Sequence, residues 1–245
     1  MKVQLPDGTE YTVTTLLGKG DSNFKLSKSD NSGKGYLTYG LSLAPYKSSG
    51  YNTCPNASPG CAAACLFTAG MGVFKNVQAG RIAKTKAFFE HRQEFLSRLK
   101  TELISARKRA KKLDKQLAVR LNVLSDIKWE KVCPSLFSQF PDIQLYDYTK
   151  DARRMLKYID GDFPSNYHLT FSRSEINEKD CLEVLKRGGN VTVVFDSLPT
   201  HWNNYPVIDG DQTDLRFLDP KNCVVGLKMK GKAKKDKSGF VINLL

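Results

Sequence analysis

The 245-residue chain lacks a long apolar run, a histidine cluster and a balance of acid against base. No stretch approaches the roughly 18 apolar residues that a membrane span needs. The segment Met1-Lys-Val-Gln-Leu-Pro-Asp-Gly8 has no apolar core for a secretory signal, so the expected compartment is the cytoplasm and no membrane partner is expected. His91, His168 and His201 are isolated from one another. Acidic residues number 25 against 38 Lys and Arg, a net charge of +13, which favours contact with phosphates, nucleic acid or small carboxylates. No low-complexity tract, fixed-period repeat or internal linker stands out, so residues 1–245 read as one domain. Hydrophobic residues at 40% and charged residues at 26% are ordinary globular usage.

Six cysteines are present, and in a cytoplasmic chain they are free or metal-bound more often than paired. Cys133, Cys181 and Cys223 are scattered and read as small buried apolar residues, with Cys133 also held as a candidate fourth ligand. The other three are clustered. Cys54, Cys61 and Cys65 lie in Thr53-Cys-Pro-Asn-Ala-Ser-Pro-Gly-Cys-Ala-Ala-Ala-Cys-Leu66, a loop shaped by Pro55, Pro59 and Gly60. Structural zinc sites usually carry four ligands in paired knuckles, and no second knuckle is present here. Soft thiolates also suit iron–sulfur clusters. Three thiolates on a cubane leave one iron without a protein ligand, so a [4Fe–4S] cluster is favoured over zinc, and both over a disulfide or inert thiols.

The rest of the chain alternates. Residues 2–14 read as a hairpin around Pro-Asp-Gly, and residues 18–35 as a Gly-, Ser- and Asp-rich loop, so that 1–35 decorate the domain. Leu37–Ala44 reads as a strand. Apolar residues at three- and four-residue steps from Gln78 to Leu117 predict two helices or one bent helix. Strands follow at 117–124, 143–148, 167–171, 191–195, 207–209, 215–219 and 224–228, with helices at 134–140, 151–159 and 178–187. This rhythm predicts an α/β fold: a partial, open TIM-like barrel of about six parallel strands with an N-terminal hairpin extension.

Parallel barrels place reactive groups at the carboxyl ends of their strands. Those ends carry Asp147 and Lys150, Arg173 flanked by Ser172 and Ser174, and the cysteine loop itself. Arg173 is a candidate carboxylate clamp, with Ser172 and Ser174 beside it as substrate-binding residues. Asp147 and Lys150 are candidates for proton transfer or orientation. Asn122, in an otherwise apolar strand, needs a buried partner or lines the pocket. Asp196 reads as a helix N-cap and Asp209-Gly-Asp211 as a polar turn. Trp129 and Trp202 read as packing residues. The blocks Arg107–Lys112 and Lys228–Lys237 read either as solvated surface or as a nucleic-acid contact without interleaved aromatics.

The order strand, cysteine loop, helix, then βα units resembles the radical S-adenosylmethionine (SAM) superfamily, which implies a [4Fe–4S] cluster after the first strand of a partial barrel. This chain has Cys-x6-Cys-x3-Cys where that superfamily has Cys-x3-Cys-x2-Cys. Leu121-Asn-Val-Leu-Ser-Asp126 stands where a Gly-Gly-Glu-like element would hold SAM. A broader likeness rests on Thr53–Cys61, Arg120–Glu130, Leu145–Lys150, Leu169–Glu175, Val193–Asp196, Val207–Asp211 and Gly231–Asp236. These segments resemble a group of bacteriophage proteins, the gene-product-88 family, which implies a phage origin, the cytoplasm of an infected cell and a cluster at the three cysteines. The function expected is a Lewis-acid, lyase- or hydrolase-like enzyme that removes water, hydroxide or halide from a small anionic substrate. A radical SAM-type enzyme is the second reading. A nucleic-acid-binding module with a structural iron–sulfur or zinc centre is the third.

Overall fold

The computed structural model describes residues 1–20 and 24–244. The hairpin is present: β1 (Lys2–Gln4) pairs antiparallel with β2 (Glu10–Thr12), with Gly8 at φ 84° in the turn. The Gly- and Ser-rich stretch that follows is not all loop. It contains β3 (Leu17–Lys19) and α1 (Phe24–Asp30), while Asp21, Ser22 and Asn23 lie outside the described residues. Pairing explains β3: its Leu17 lies opposite Leu41 of β4 (Tyr36–Leu41), a partner that local composition cannot reveal.

The cysteine region holds α2 (Pro59–Ala63) and two 3-10 turns, Leu66–Thr68 and Gly70–Val73. Two long helices follow, α3 (Lys75–Glu90) and α4 (Arg92–Lys112), parted at His91, whose ψ of 47° breaks the helical run. On α4 the buried positions Phe95, Leu99, Leu103, Ala106 and Ala110 keep the helical step. Arg109, Lys111 and Lys112 in its last turn face the negative end of the helix dipole. Then come β5 (Gln116–Arg120), α5 (Trp129–Val132), α6 (Ser135–Gln139), β6 (Gln144–Thr149), α7 (Ala152–Ile159), β7 (Tyr167–Ser172), α8 (Glu178–Lys186) and β8 (Val191–Phe195). The chain finishes with β9 (His201–Trp202), β10 (Tyr205–Asp209), β11 (Val224–Lys228) and β12 (Val241–Ile242). Residues 215–219, expected as a strand, form a 3-10 turn at Arg216–Leu218 instead.

Ten strands make one sheet in the order β3-β4-β5-β6-β7-β8-β11-β10-β9, with β12 also on β8. All neighbours from β4 to β10 are parallel, whereas β3 and β9 join antiparallel. The sheet is open among the described residues, and no closed barrel is formed. β7 pairs only with the start of β8, through Phe171 and Ser172, and β12 takes the place it vacates beside Val194 and Phe195.

Alternation along the strands sorts the two faces. Leu37, Leu41, Val119, Leu145, Leu169 and Val193 pack with Phe88, Phe95, Leu99 and Trp129 in the main core. Burying each such side chain contributes roughly 1.5–3 kcal/mol. Ala118 and Tyr146 face the other way and are covered by Leu215 and Phe217. There Arg120 pairs with Asp214 at 2.9 Å, and Asp214 N donates to Ser29 Oγ of α1 at 2.8 Å. The chain between β10 and β11 therefore fills the face that a hollow barrel would leave free.

Candidate functional site

The cysteine loop is built on the carboxyl end of β4. Thr53 Oγ1 donates to Ala44 O at 2.7 Å, and Thr53 N donates to Tyr46 O at 3.1 Å, closing the loop at its base. Tyr46 adopts φ 50°, which turns its N–H toward Cys54 Sγ at 3.3 Å. The Cys54 thiol donates to Leu124 O, 3.4 Å away in the loop after β5. Pro59 opens α2, and Ser58 caps it by accepting from Cys61 N at 3.1 Å. Glu175, in the loop after β7, accepts from Ser58 Oγ and Gly60 N, both at 2.7 Å. Gly60 is required at this crossing. A Cβ there would lie 2.3 Å from Ser238 Oγ and 2.8 Å from Glu175 Cδ. Ala64, next to Cys65, packs on Ala233 and Val241.

Cys54, Cys61 and Cys65 thus line one pocket of about 330 Å³, with Pro45, Tyr46 and Phe67 as apolar walls and Lys232 at its edge. Burial raises the Cys54 thiol above its ordinary value, against the Tyr46 amide, and pushes Cys65 up to about 11, against the Phe67 amide. The charge of Cys61 raises both further. Thiolates here need a cation to offset their burial, which a metal centre supplies while releasing the protons. Among the described residues, no three His, Cys, Asp or Glu side chains are grouped as for a single ion. One tetrahedral zinc, with bonds of about 2.3 Å, needs thiolates about 3.8 Å apart. A cubane takes each thiolate on a different iron and so accepts a wider set. Three soft thiols lining one pocket are a donor set that an iron–sulfur cluster accepts.

Cys133 does not join the three. It is buried in the main core, with Sγ 3.8 Å from Ser135 Oγ. Asn122 and Asp147 are brought together, away from the pocket lining. Asp147 accepts from Asn122 N at 2.6 Å, Asn122 Nδ2 at 3.0 Å and Tyr167 OH at 2.7 Å. It is fully buried, and burial pushes its carboxyl up to about 7, against the Tyr167 hydrogen bond. Asn122 Oδ1 accepts from Ser125 Oγ and Ile127 N, so the pair shapes the loop that carries Leu124 to Cys54.

Lys150, Ser172 and Arg173 form a second group. Lys150 Nζ donates to Ser172 Oγ at 2.5 Å and lies 3.4 Å from Arg173 O. Arg173 donates to Gly239 O and Phe240 O at 2.7 and 3.1 Å, so its guanidinium secures the segment leading into β12. Ser174 is buried, with its N–H on Asn177 Oδ1. Asp196 caps no helix. Its Oδ1 accepts from Ser197 N, and both carboxylate oxygens accept from Leu244 N. Asp209 accepts from Asp211 N in a polar turn.

Three features were not read from the sequence. Glu175 lies one residue past the Ser-Arg-Ser run, and nothing local announces that its partners are 115 and 117 residues earlier. Lys232 stands within a lysine run that reads as surface. That run is ordered as a 3-10 turn, Gly231–Lys235, around buried Ala233. The third is Arg154, which is buried and paired with Asp126 at 3.1 Å and Glu130 at 2.7 Å, while Asp126 accepts from Lys150 N at 2.9 Å.

No helix among the described residues is long and apolar enough to cross a membrane. No curated protein and no solved structure matches the chain, and the likeness to the radical SAM superfamily finds no support. A family model described as gene product 88 matches residues 15–244, which contain the whole ten-stranded sheet and all three clustered cysteines. The chain therefore belongs to the gene product 88 family of phage proteins.

Proposed function

We propose that Cys54, Cys61 and Cys65 hold a [4Fe–4S] cluster with one iron left open, and that the protein acts on a small anionic substrate by Lewis-acid, lyase- or hydrolase-like chemistry. The observation that carries this reading is the shared pocket: three thiols and one lysine at the carboxyl rim of a parallel sheet. When bound, such a cluster supplies an exchangeable iron position able to polarise a carboxylate or hydroxyl. Lys232 attracts the anion to the pocket edge. Tyr46, Pro45 and Phe67 limit water around it, which strengthens that attraction. The Glu175 clamp and the Asn122–Asp147 pair hold Cys61 and the Cys54 partner in place. In the α4 basic block, Arg107 pairs with Asp142 at 3.2 Å and Arg109 donates to Tyr39 OH at 3.3 Å, while Lys108, Lys111 and Lys112 are exposed.

The test is anaerobic purification with iron and sulfide analysis. The expected result is brown protein with about four irons per chain. That content is lost in C54A, C61A and C65A and kept in C133A. Lys232→Ala keeps the iron and loses the spectral response to added small acids. Zinc alone, or iron retained in all three single variants, overturns the reading.

A further inference from the structure

A second pocket, of about 430 Å³, lies between the N-terminal hairpin, the end of β4 and the first turns of α3. Arg81 and Lys84 reach it from one face of α3, and no acidic side chain lines it among the described residues. The first turn of α3 carries no acid and no side-chain cap. Among the described residues, the Arg81 side chain makes one hydrogen bond, Nη1 to Phe67 O at 2.8 Å. Lys84 Nζ donates to Leu16 O at 2.9 Å, and Glu102, which accepts from the Leu16 and Leu17 amides, offsets part of its charge. Thr12, Thr14 and Ser42 add hydroxyls, while Leu26 and Val77 supply apolar wall. Gly80 faces the pocket from mid-helix, where glycine is disfavoured. A Cβ there would meet Tyr11 OH at 3.2 Å.

We infer that this pocket binds a small organic dianion, one anionic group on Arg81 and Lys84 and its body against Leu26 and Val77. Two cations in a pocket with no acid in its lining among the described residues favour a dianion, and the planar guanidinium suits phosphate or carboxylate alike. The volume exceeds what bare phosphate needs and falls in the range of organic ligand sites. The cysteine pocket has a different lining, although Arg81 bonds Phe67 O at its wall and feels the charge of Cys65.

The test is titration calorimetry at low salt on the wild-type protein and on C54A, which separates this site from the cluster. The probes are inorganic phosphate, ribose 5-phosphate, succinate and sulfate. At least one organic dianion is expected to bind tenfold or more tightly than inorganic phosphate, with the same affinity in C54A. Whichever of ribose 5-phosphate and succinate binds more tightly identifies the head group. Affinity is expected to fall at least tenfold in Lys84→Met and Arg81→Gln and to stay unchanged in Lys112→Met, a surface control. Circular dichroism and thermal melting check folding; if the charge variants fail to fold, Ser42→Ala and Thr14→Val weaken binding several-fold in their place. No saturable binding of any probe, equal binding of organic and inorganic anions, or binding indifferent to these substitutions overturns the inference.

Discussion

Replacing Glu175 by alanine tests the architecture of the cysteine loop most directly. The carboxylate makes two charge-assisted hydrogen bonds at 2.7 Å, one to the Ser58 hydroxyl and one to the Gly60 amide, and no covalent or helical link duplicates them. Such bonds contribute about 1.5–3 kcal/mol each, and the partly exposed setting puts both at the low end. With water replacing part of the loss, opening of α2 becomes easier by about 2 kcal/mol, a factor of about 30. The Ser58 cap on Cys61 N survives, so the fold should persist. The assay is amide hydrogen exchange over residues 58–63 in the metal-free protein, with about 30-fold faster exchange expected at Gly60. A pH series sharpens it. Burial acts to raise the Glu175 carboxyl, but hydrogen bonds from Ser58, its own backbone and Gly60 outweigh that and hold it below its ordinary 4.5. A depressed acid stabilises above its unfolded value and loses that contribution as pH falls through the depressed one. Protection at Gly60, corrected for intrinsic exchange, should therefore fall on acidification below 4.5 in the wild type and stay flat in E175A. Exchange within threefold of wild type would show that the clamp does not hold the loop.

Asp147 predicts the opposite pH trend. Its carboxyl is raised to about 7, so its contribution is complete below 3.8 and lost as pH rises through about 7. Urea unfolding should show the wild type losing about 2–3 kcal/mol between pH 5 and pH 8, with Asp147→Asn nearly flat over that window. Asp214→Ala leaves the Arg120 guanidinium, 2.9 Å from it, without its buried partner, and should cost about 3–5 kcal/mol in the same assay. Gly60→Ala sets a Cβ 2.3 Å from Ser238 Oγ, which should displace the C-terminal segment and speed tryptic cleavage at Lys232, Lys234 and Lys235.

Much of the fold could be read from periodicity. The strand over 191–195 coincides with β8, and the long apolar repeat splits into α3 and α4 at His91. These elements carry their signal within themselves, as alternation or helical spacing around a core. The misses depend on distant partners. β3 exists because Leu41 lies opposite Leu17, and Arg216–Leu218 is a turn because it crosses Tyr146 on the filled face of the sheet. The site divides in the same way. Three cysteines within a dozen residues announce themselves, whereas Glu175 and Lys232 enter only once β7 and β11 are ordered in the same sheet as β4.

That division explains why the rim residues singled out from the sequence separate into layers. Strand-end polar residues face either the gap between loops or the space between sheet and helices, and alternation alone does not say which. Asp147 and Asn122 point to the helix side and satisfy each other, so their ionisable and amide groups are used up shaping the loop after β5. Arg173 gives Nη1 to the carbonyls of Gly239 and Phe240 and Nη2 to Glu178, and the segment it holds passes Gly60 through Ser238. Both groups act on the cysteines at one remove, the first through Leu124 to Cys54 and the second through the C-terminal segment to α2. A change at either group should therefore alter how firmly the thiols are held before it alters any chemistry at the pocket. On the proposed reading, retention of the proposed cluster, not turnover, is the quantity that separates a residue that positions the cysteines from one that would touch substrate.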